Sequence, residues 1–348
     1  MARGARRLQE RPGRASLRSC GSDTARVTDP ALPPPAPPPA RPTRGVNLPL
    51  SAQLALARTL FALSARLPFR LAYALGGPLG ALGYLLPTRT RRLTRVNLTL
   101  CFPELSARDR ARLGRRSSGE AARFVLELGR LWSRPREQTL ALVREVHGLE
   151  HAEAAFRAGR GVIAITPHMG SWELAGLWAS SHWPITSLYK PPRLRALEAF
   201  LLERRQRFGA RLVPAGPSGV GAIVRALRDN ELVAVLPDQD PGRGSGRFAP
   251  FFGVPASTSV LIPRLIARTG AAAVLAACVR LPRAGGFAMH IAPASPALAD
   301  PDLDVATAAL NLDIERFVRR FVEQYLWSYP RFRRSPPGVP SRYGSGRG

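Results

Sequence analysis

The sequence is poor in cysteine and in acidic residues. Three widely separated cysteines, Cys20, Cys101 and Cys278, occur in 348 residues, which supports neither a disulfide framework nor a thiolate metal site. This usage is typical of a reducing, cytosol-facing location. The 24 Asp and Glu residues stand against 51 Lys and Arg, so the formal net charge is +27.

Lysine is nearly absent as well, since Lys190 is the only one and arginine supplies the remaining positive charge. A strongly basic surface attracts nucleic acids, anionic membranes, phosphorylated lipids or acidic carrier proteins. Aromatic residues make up only 7% of the chain, no zinc-finger spacing occurs, and the arginines are dispersed. The sequence therefore disfavours nucleic acid as the partner.

Two common catalytic patterns are missing. The five histidines, at positions 147, 151, 168, 182 and 290, form no His-Glu-x-x-His or comparable ligand set, and we expect no metal and no other cofactor. The Gly-x-Ser-x-Gly pattern of many serine hydrolases is also absent. These absences exclude the most common hydrolase sites.

Residues 1–45 are rich in Arg, Pro and Ala and show no apolar periodicity. This composition predicts a disordered or polyproline-like extension, and it lacks the long apolar core of a secretory signal peptide. A non-ATG start at Val46 would leave the segment untranslated, and both interpretations stay open.

Residues 46–95 form a strongly apolar region that several arginines interrupt. A membrane-spanning helix needs roughly 20 predominantly apolar residues, and Gly76-Gly77-Pro78 predicts a break or kink. We expect a membrane anchor or interfacial helices with snorkelling arginines, and a soluble helical hairpin is the alternative. The arginines at 89, 91, 92 and 95 favour a cytoplasmic position for the end of this region.

Residues 96–334 alternate short β-rich runs with helical stretches, and residues 335–348 are a C-terminal tail. Strands are predicted at 161–166, 185–189, 232–236, 272–278 and 287–291. Helices are predicted at about 171–181, 195–208, 218–229, 258–268 and 305–326. The alternation predicts an α/β domain with a mixed sheet covered by helices.

The run from His168 to Glu173 follows the first of these strands. It places His168 in a strand-to-helix loop and Glu173 in the first helical turn, with Ser171 as the N-cap candidate. Two residues five positions apart on a regular helix lie about 140° apart, so the pair can meet only if His168 lies outside the helix. Glu173 would then fix the imidazole tautomer and leave the other nitrogen as a base. A purely structural histidine, or Ser171 as a nucleophile, are the alternatives.

Further blocks surround this run in a fixed order. They are Asn97-Leu-Thr-Leu-Cys-Phe-Pro-Glu104, Gly148-Leu-Glu-His151, Leu188-Tyr-Lys-Pro191, Pro237-Asp-Gln-Asp240, Pro250-Phe-Phe-Gly253, Glu323-Gln-Tyr-Leu-Trp-Ser-Tyr-Pro-Arg-Phe-Arg333 and Gly338-Val-Pro-Ser-Arg-Tyr343. With these blocks the sequence resembles the bacterial lipid A biosynthesis acyltransferases, specifically the lauroyl (Kdo2-lipid IV(A)) type, over about residues 50–343. The resemblance implies a glycerol-phosphate acyltransferase-like fold.

The resemblance implies acyl transfer from acyl-acyl carrier protein to a hydroxyl of a lipid A precursor, at the cytoplasmic face of the inner membrane. It maps the family's His-x4-Asp/Glu pair onto His168 as general base and Glu173 as its orienting carboxylate, without a covalent intermediate. A lysophospholipid, an aminolipid or another glycolipid is an open alternative acceptor. A non-enzymatic basic protein that binds membrane or nucleic acid is the alternative from another class.

Contacts with substrate are predicted for five further residues. They are Lys190, Arg204, Arg207, Asp238 and Gln239. The basic residues suit phosphates and sugar-acid carboxylates, although a solvated basic face is the alternative, and Lys190 replaces a family arginine and loses its bidentate fork. Asp238 and Gln239 follow an apolar run, where α/β proteins usually place ligand contacts, and could organise the site. Tyr329-Pro330-Arg331 departs from the family's His-Arg-Arg, which puts a role for that position in doubt.

Overall fold

The computed structural model describes residues 50–192 and 197–343. The predicted extension 1–45 and the last five residues of the tail lie outside this part. The helices are α1 (Leu50–Arg66), α2 (Phe69–Leu85), α3 (Arg89–Cys101), α4 (Ala107–Ser133), α5 (Arg136–Leu140), α6 (Leu149–Arg157), α7 (Trp172–His182), α8 (Glu198–Gln206), α9 (Pro217–Arg228), α10 (Leu261–Thr269) and α11 (Leu303–Arg320). The strands are β1 (Val143–His147), β2 (Val162–Ile165), β3 (Ile185–Tyr189), β4 (Arg211–Pro214), β5 (Leu232–Val235), β6 (Gly246–Phe251), β7 (Val254–Ser259), β8 (Ala272–Arg280) and β9 (Phe287–Pro293).

Seven strands form the central sheet, in the order β1-β9-β8-β2-β5-β3-β4. Neighbours are parallel except β8 and β9, so β9 and β1 run opposite to the other five strands. Strands β6 and β7 form a separate antiparallel hairpin. The prediction of a mixed sheet covered by helices is confirmed.

Successive residues of β2 face two different cores, as the pleat of a strand requires. Val162 and Ala164 pack in the core on the side of α6 and α7, whereas Ile163 and Ile165 pack in the core on the side of α9, α10 and α11. All four residues of β2 are buried. This double burial is why the strand is a continuous apolar run rather than an alternating one.

The register of β2 and β5 determines which side chains meet at the carboxyl edge of the sheet. Ile165 lies opposite Val235 in this parallel pair. After Ile165, one residue and a proline lead to His168. After Val235, one residue and a proline lead to Asp238, so the two polar residues follow their strands at the same distance. Because parallel strands end at the same edge, the two side chains are brought together.

Helix α2 is continuous across Gly76-Gly77-Pro78, so the prediction of a break there is wrong, whereas a kink stays a prediction. Its small residues lie directly on α4: a Cβ at Gly80 would be 2.1 Å from the carbonyl oxygen of Ser118. Arg123 of α4 donates from Nε to the carbonyl of Tyr73 at 3.0 Å. These contacts with α4 support the helix on both sides of the proline. Among the described residues, no helix combines the length and apolarity needed to cross a bilayer.

Candidate active site

His168 lies in the loop between β2 and α7, outside the helix as predicted. Its Nδ1 is 2.7 Å from Oδ1 of Asp238, and its backbone N–H donates to Oδ2 of the same residue at 2.8 Å. Burial would raise the pKa of Asp238, but the charge and hydrogen bonds of His168 outweigh burial and hold this pKa below its usual range. Asp238 is therefore a carboxylate that accepts the Nδ1 proton, which leaves Nε2 as the acceptor nitrogen of the neutral ring.

The other faces of the imidazole are also defined. Nε2 of His168 is 3.2 Å from the side-chain amide nitrogen of Gln239, which donates to it in this tautomer. The ring of Trp172 packs edge-on against the imidazole at 5.3 Å, and it stacks in turn on Phe124 at 3.7 Å. A substrate hydroxyl that reaches Nε2 would take the position of the Gln239 amide.

Glu173 does not orient His168 in the structure. Both of its carboxylate oxygens accept from Nε of Arg205 at 3.0 Å, and Nη2 of Arg205 adds a third contact at 2.5 Å. The predicted hydrogen bond between Glu173 and the imidazole is wrong, because Asp238 occupies Nδ1 and the first turn of α7 directs Glu173 towards α8. Glu173 and His168 nevertheless line the same cavity.

The loop after His168 is tightly attached to its surroundings. Gly170 has a positive φ of 56°, and a Cβ there would lie 2.0 Å from the carbonyl oxygen of Cys278, so this close approach requires glycine. The N–H of Leu326 donates to the carbonyl of His168 at 3.0 Å, and the N–H of Gly170 donates to the carbonyl of Gln324 at 2.9 Å. The segment preceding Trp327 therefore holds the loop through two backbone hydrogen bonds.

Ser171 is the residue before α7, but its hydroxyl makes no capping hydrogen bond to the described helix. The N–H of Ser171 donates to the carbonyl of Cys278 at 2.7 Å, and the residue is fully buried. Ser171 is thus inaccessible to a substrate, which disfavours the alternative that it is a nucleophile.

A buried ion cluster lies beneath this loop. Arg280 binds Glu127 through Nε and Nη2 at 2.9 and 2.6 Å, contacts Glu120 at 3.3 Å, and donates to the carbonyl of Gly170 at 3.1 Å. Burial lowers the pKa of Arg280, but the charge and hydrogen bond of Glu127, with further contributions that include the charge of Glu120, together outweigh burial and keep the pKa above its ordinary value. The cluster links α4 to the start of α7.

A cavity of about 340 Å³, here called the α7 cavity, opens beside His168 and extends between α7 and the sheet. Its wall is mainly apolar and includes Ala164, Ala175, Leu177, Trp178, Ile185, Val274, Met289 and Ile291. His168, Glu173 and Arg205 are among its polar lining residues and form what is here called its polar end. Such a cavity fits an extended hydrocarbon chain whose reactive end lies at the imidazole.

The predicted basic contacts are separated in the structure. Lys190 lines the α7 cavity, but Arg204 and Arg207 bind the carboxyl end of α4, donating to the carbonyls of Trp132 at 3.4 Å and Leu131 at 2.9 Å. Both guanidinium groups thereby satisfy carbonyls that a helix end leaves unpaired, and neither lines the cavity. Arg205, between them, is the arginine of α8 that does.

Arg331, which follows the departing Tyr329-Pro330, and the two phenylalanines of the Pro250–Gly253 block are buried. Arg331 donates to the carbonyl of Ser257 at 2.6 Å and to Oγ1 of Thr258 at 2.9 Å. Phe251 and Phe252 lie in the core on the α9 side of the sheet. Both findings favour packing over direct contact with substrate.

Comparison with known proteins identifies the family. A family model described as bacterial lipid A biosynthesis acyltransferase matches residues 49–334. The chain belongs to this family. Over 80% of its length the acyltransferase is 30% identical to the lipid A biosynthesis palmitoleoyltransferase of Escherichia coli K12, of which it covers 90%. It is 28% identical to the lauroyltransferase of the same organism, with the same coverage of both chains.

The acyltransferase is also similar to a protein with a different named acceptor. It is 29% identical to the phosphatidylinositol mannoside acyltransferase of Mycobacterium tuberculosis CDC 1551, over 51% of this chain and 55% of that relative. The resemblance seen in the sequence is therefore confirmed for the family and for acyl transfer as the enzyme activity.

Proposed function

We propose that this acyltransferase moves a fatty acyl chain from acyl-acyl carrier protein to a hydroxyl of a lipid A precursor of the Kdo2-lipid IV(A) type. The single observation that carries the proposal is His168, held by Asp238 at the polar end of an apolar cavity. The base His168, the apolar cavity beside it and the family of the chain all support acyl transfer to a hydroxyl.

In the proposed reaction Nε2 of His168 takes the proton of the acceptor hydroxyl while its oxygen attacks the thioester carbonyl carbon. Collapse of the tetrahedral intermediate breaks the carbon–sulfur bond, and the imidazolium returns the proton to the leaving thiolate. Asp238 stabilises the imidazolium, and no covalent enzyme intermediate forms. General-base assistance of this kind contributes typically about 10²- to 10⁴-fold.

Glu173 keeps a catalytic role in this proposal, but through Arg205. The carboxylate is buried in the first turn of α7 and receives three hydrogen bonds from the guanidinium. Arg205 is thereby fixed at the polar end of the α7 cavity, where the thioester lies when the acyl chain fills the apolar part. Glu173 is then a positioning residue for the cation beside the reacting carbonyl.

The direct test uses purified protein, acyl-acyl carrier protein and Kdo2-lipid IV(A), with mass spectrometry of the lipid product. Wild type should add one acyl chain, and His168→Ala should abolish the addition. His182→Ala, which changes an exposed histidine at the end of α7, is the matched control and should retain activity. Full activity in His168→Ala would contradict the mechanism.

We propose that α2 attaches the enzyme to the cytoplasmic face of the inner membrane. Five leucines recur along this region at helical spacing and are 41–60% exposed, namely Leu71, Leu75, Leu79, Leu82 and Leu86. The opposite face of α2 packs on α4, and no acidic residue occurs in the sequence from 30 to 103. An apolar stripe with surrounding arginines fits an anionic bilayer interface.

Vesicle flotation tests this attachment. Leu75→Glu with Leu79→Glu should reduce binding to vesicles that contain 30% anionic phospholipid. Leu312→Glu, which changes an exposed leucine of α11, is the control and should bind as wild type does. Unchanged flotation of the α2 variant would contradict the proposal.

A second acceptor class is supported by the partial similarity to a phosphatidylinositol mannoside acyltransferase. In that case the same His168 chemistry would acylate another glycolipid. Lipid mass spectrometry of a strain that lacks the gene distinguishes the two, because only one lipid class should lose an acyl chain.

A further inference from the structure

A second cavity, here called the α10 cavity, lies on the other face of the sheet. It has a volume of about 720 Å³ and lies between α9, α10 and the carboxyl ends of β3 and β5. The two cavities share the lining residues Leu188, Tyr189, Lys190, Ala234 and Leu236. Gln239, whose amide contacts Nε2 of His168, also lines it. The α10 cavity thus ends one side chain from the proposed base.

The rim of this cavity is cationic. Arg264 and Arg268 lie one helical turn apart on α10, and Lys190 lies at the end of β3. Within residues 50–192 and 197–343, no hydrogen bond or ion pair is formed by any of these three side chains. Like charges four residues apart on a helix repel each other, and no carboxylate of the described part forms an ion pair with either arginine.

One acidic residue, Asp240, lies among the described lining residues, and it is already engaged. Its Oδ2 is 3.3 Å from Nε of Arg334, and its side chain is almost fully buried. Asp240 therefore leaves the three rim cations without a counter-ion. The interior of the cavity is apolar and is formed by Val220, Val224, Val260, Leu261 and Leu265.

An apolar interior with three cations at its rim suits an amphiphile that carries an anionic group. A phosphate ester matches the number of cations best, because it presents several acceptor oxygens and guanidinium groups bind phosphate through paired hydrogen bonds. We propose that Arg264, Arg268 and Lys190 bind a phosphate ester of one of the two substrates, next to His168. This inference rests on the proposed function for the identity of those substrates.

Two sources share this chemistry. The thioester of an acyl carrier protein is attached through a phosphopantetheine arm, whose phosphodiester precedes the reactive sulfur. A lipid A precursor carries phosphate on its sugar. Either group would place its substrate with the reactive atom near Gln239 and the phosphate at α10.

The test is equilibrium binding to the full-length protein, measured by fluorescence anisotropy. The probes are labelled phosphopantetheine with its phosphate-free pantetheine counterpart, and labelled lipid IV(A) with its dephosphorylated counterpart. Arg264→Gln with Arg268→Gln is the test variant. Arg225→Gln with Arg228→Gln changes the charge of α9 equally at exposed positions outside the cavity wall, and is the control.

The test variant should bind one phosphate-bearing probe at least tenfold more weakly than wild type, while binding of its phosphate-free counterpart and the control variant stay within twofold. The probe affected identifies donor or acceptor as the source. Equal affinity of wild type and test variant for both phosphate-bearing probes overturns the proposal, as does an equal loss for the phosphate-free probes. Failure of acyl transfer itself would leave these binding comparisons intact, so the two proposals fail separately.

Discussion

Replacement of Asp238 by asparagine perturbs the proposed base with almost no change in volume. The carboxylate accepts two hydrogen bonds from His168, one from the backbone N–H and one from Nδ1. An amide has one accepting oxygen, and its nitrogen can only donate. If the oxygen keeps the backbone N–H, the amide nitrogen faces Nδ1, and the imidazole proton must move to Nε2.

The size of the effect follows from this change of tautomer. With the proton on Nε2 the imidazole cannot accept the proton of the attacking hydroxyl. Loss of the correct tautomer, with general-base help removed, should lower kcat by between about 10²- and 10⁴-fold. The acyl chain still has its apolar cavity, so KM for the donor should change by less than about threefold, because the lost interaction belongs to the transition state.

The assay is steady-state acyl transfer to the lipid A precursor by Asp238→Asn, with thermal melting to verify that the variant is folded. Asp229→Asn, at an exposed position after α9, is the matched control and should have wild-type kinetics. A folded Asp238→Asn protein whose kcat lies within threefold of wild type would refute the role assigned to Asp238.

Three further results are expected. Glu173→Gln and Arg205→Gln should each lower kcat/KM, and kcat/KM of the double variant should be no lower than that of the less active single variant. Losses of kcat/KM that multiply in the double variant would contradict a shared role. Glu127→Ala leaves Arg280 buried without its main partner and should reduce the free energy of unfolding by about 3–5 kcal/mol in denaturant titration; a loss below about 1 kcal/mol would contradict this. Burial, together with the charges of Arg320 and His147, lowers the pKa of His290 to about 4. The neutral imidazole therefore contributes stability above the unfolded-state pKa of 6.5, and the free energy of unfolding should fall by about 3 kcal/mol as the pH drops to 4. The same pH dependence of unfolding in His290→Phe would contradict this expectation.

The predicted strands that fill the centre of the sheet have a clear physical signal. Strand β2 is buried on both faces and is therefore apolar at every position. By contrast, β1 exposes four of its five residues and β4 exposes both ends, so neither has an apolar run, and neither was predicted. The hairpin β6–β7 was missed as well, since prolines at 250 and 255 interrupt its pattern.

The loop that carries His168 was predicted, but its carboxylate partner was not. Sequence proximity favoured Glu173, whereas the pairing register of β2 and β5 selects Asp238, 70 residues away. A signal was available: both strands are followed by a residue, a proline and then a polar side chain. This pattern predicts the contact between His168 and Asp238 only once β2 and β5 are known to be neighbouring strands.

The arginines at the end of α8 show a different limit. Three occur within four positions, and only the orientation of the helix against α4 and α7 decides which one reaches the cavity. Arg205 reaches it, while the predicted Arg204 and Arg207 bind the end of α4. Helix phase of this kind depends on tertiary packing and cannot be obtained from the spacing of charges.

The tautomer of His168 tests the site most directly. In protein labelled with ¹⁵N-histidine, NMR spectra at pH 8 should show the His168 proton on Nδ1 and an unprotonated Nε2, with the proton moved to Nε2 in Asp238→Asn. A wild-type His168 that carries its proton on Nε2 would contradict the proposal that Asp238 prepares this histidine to activate a lipid hydroxyl.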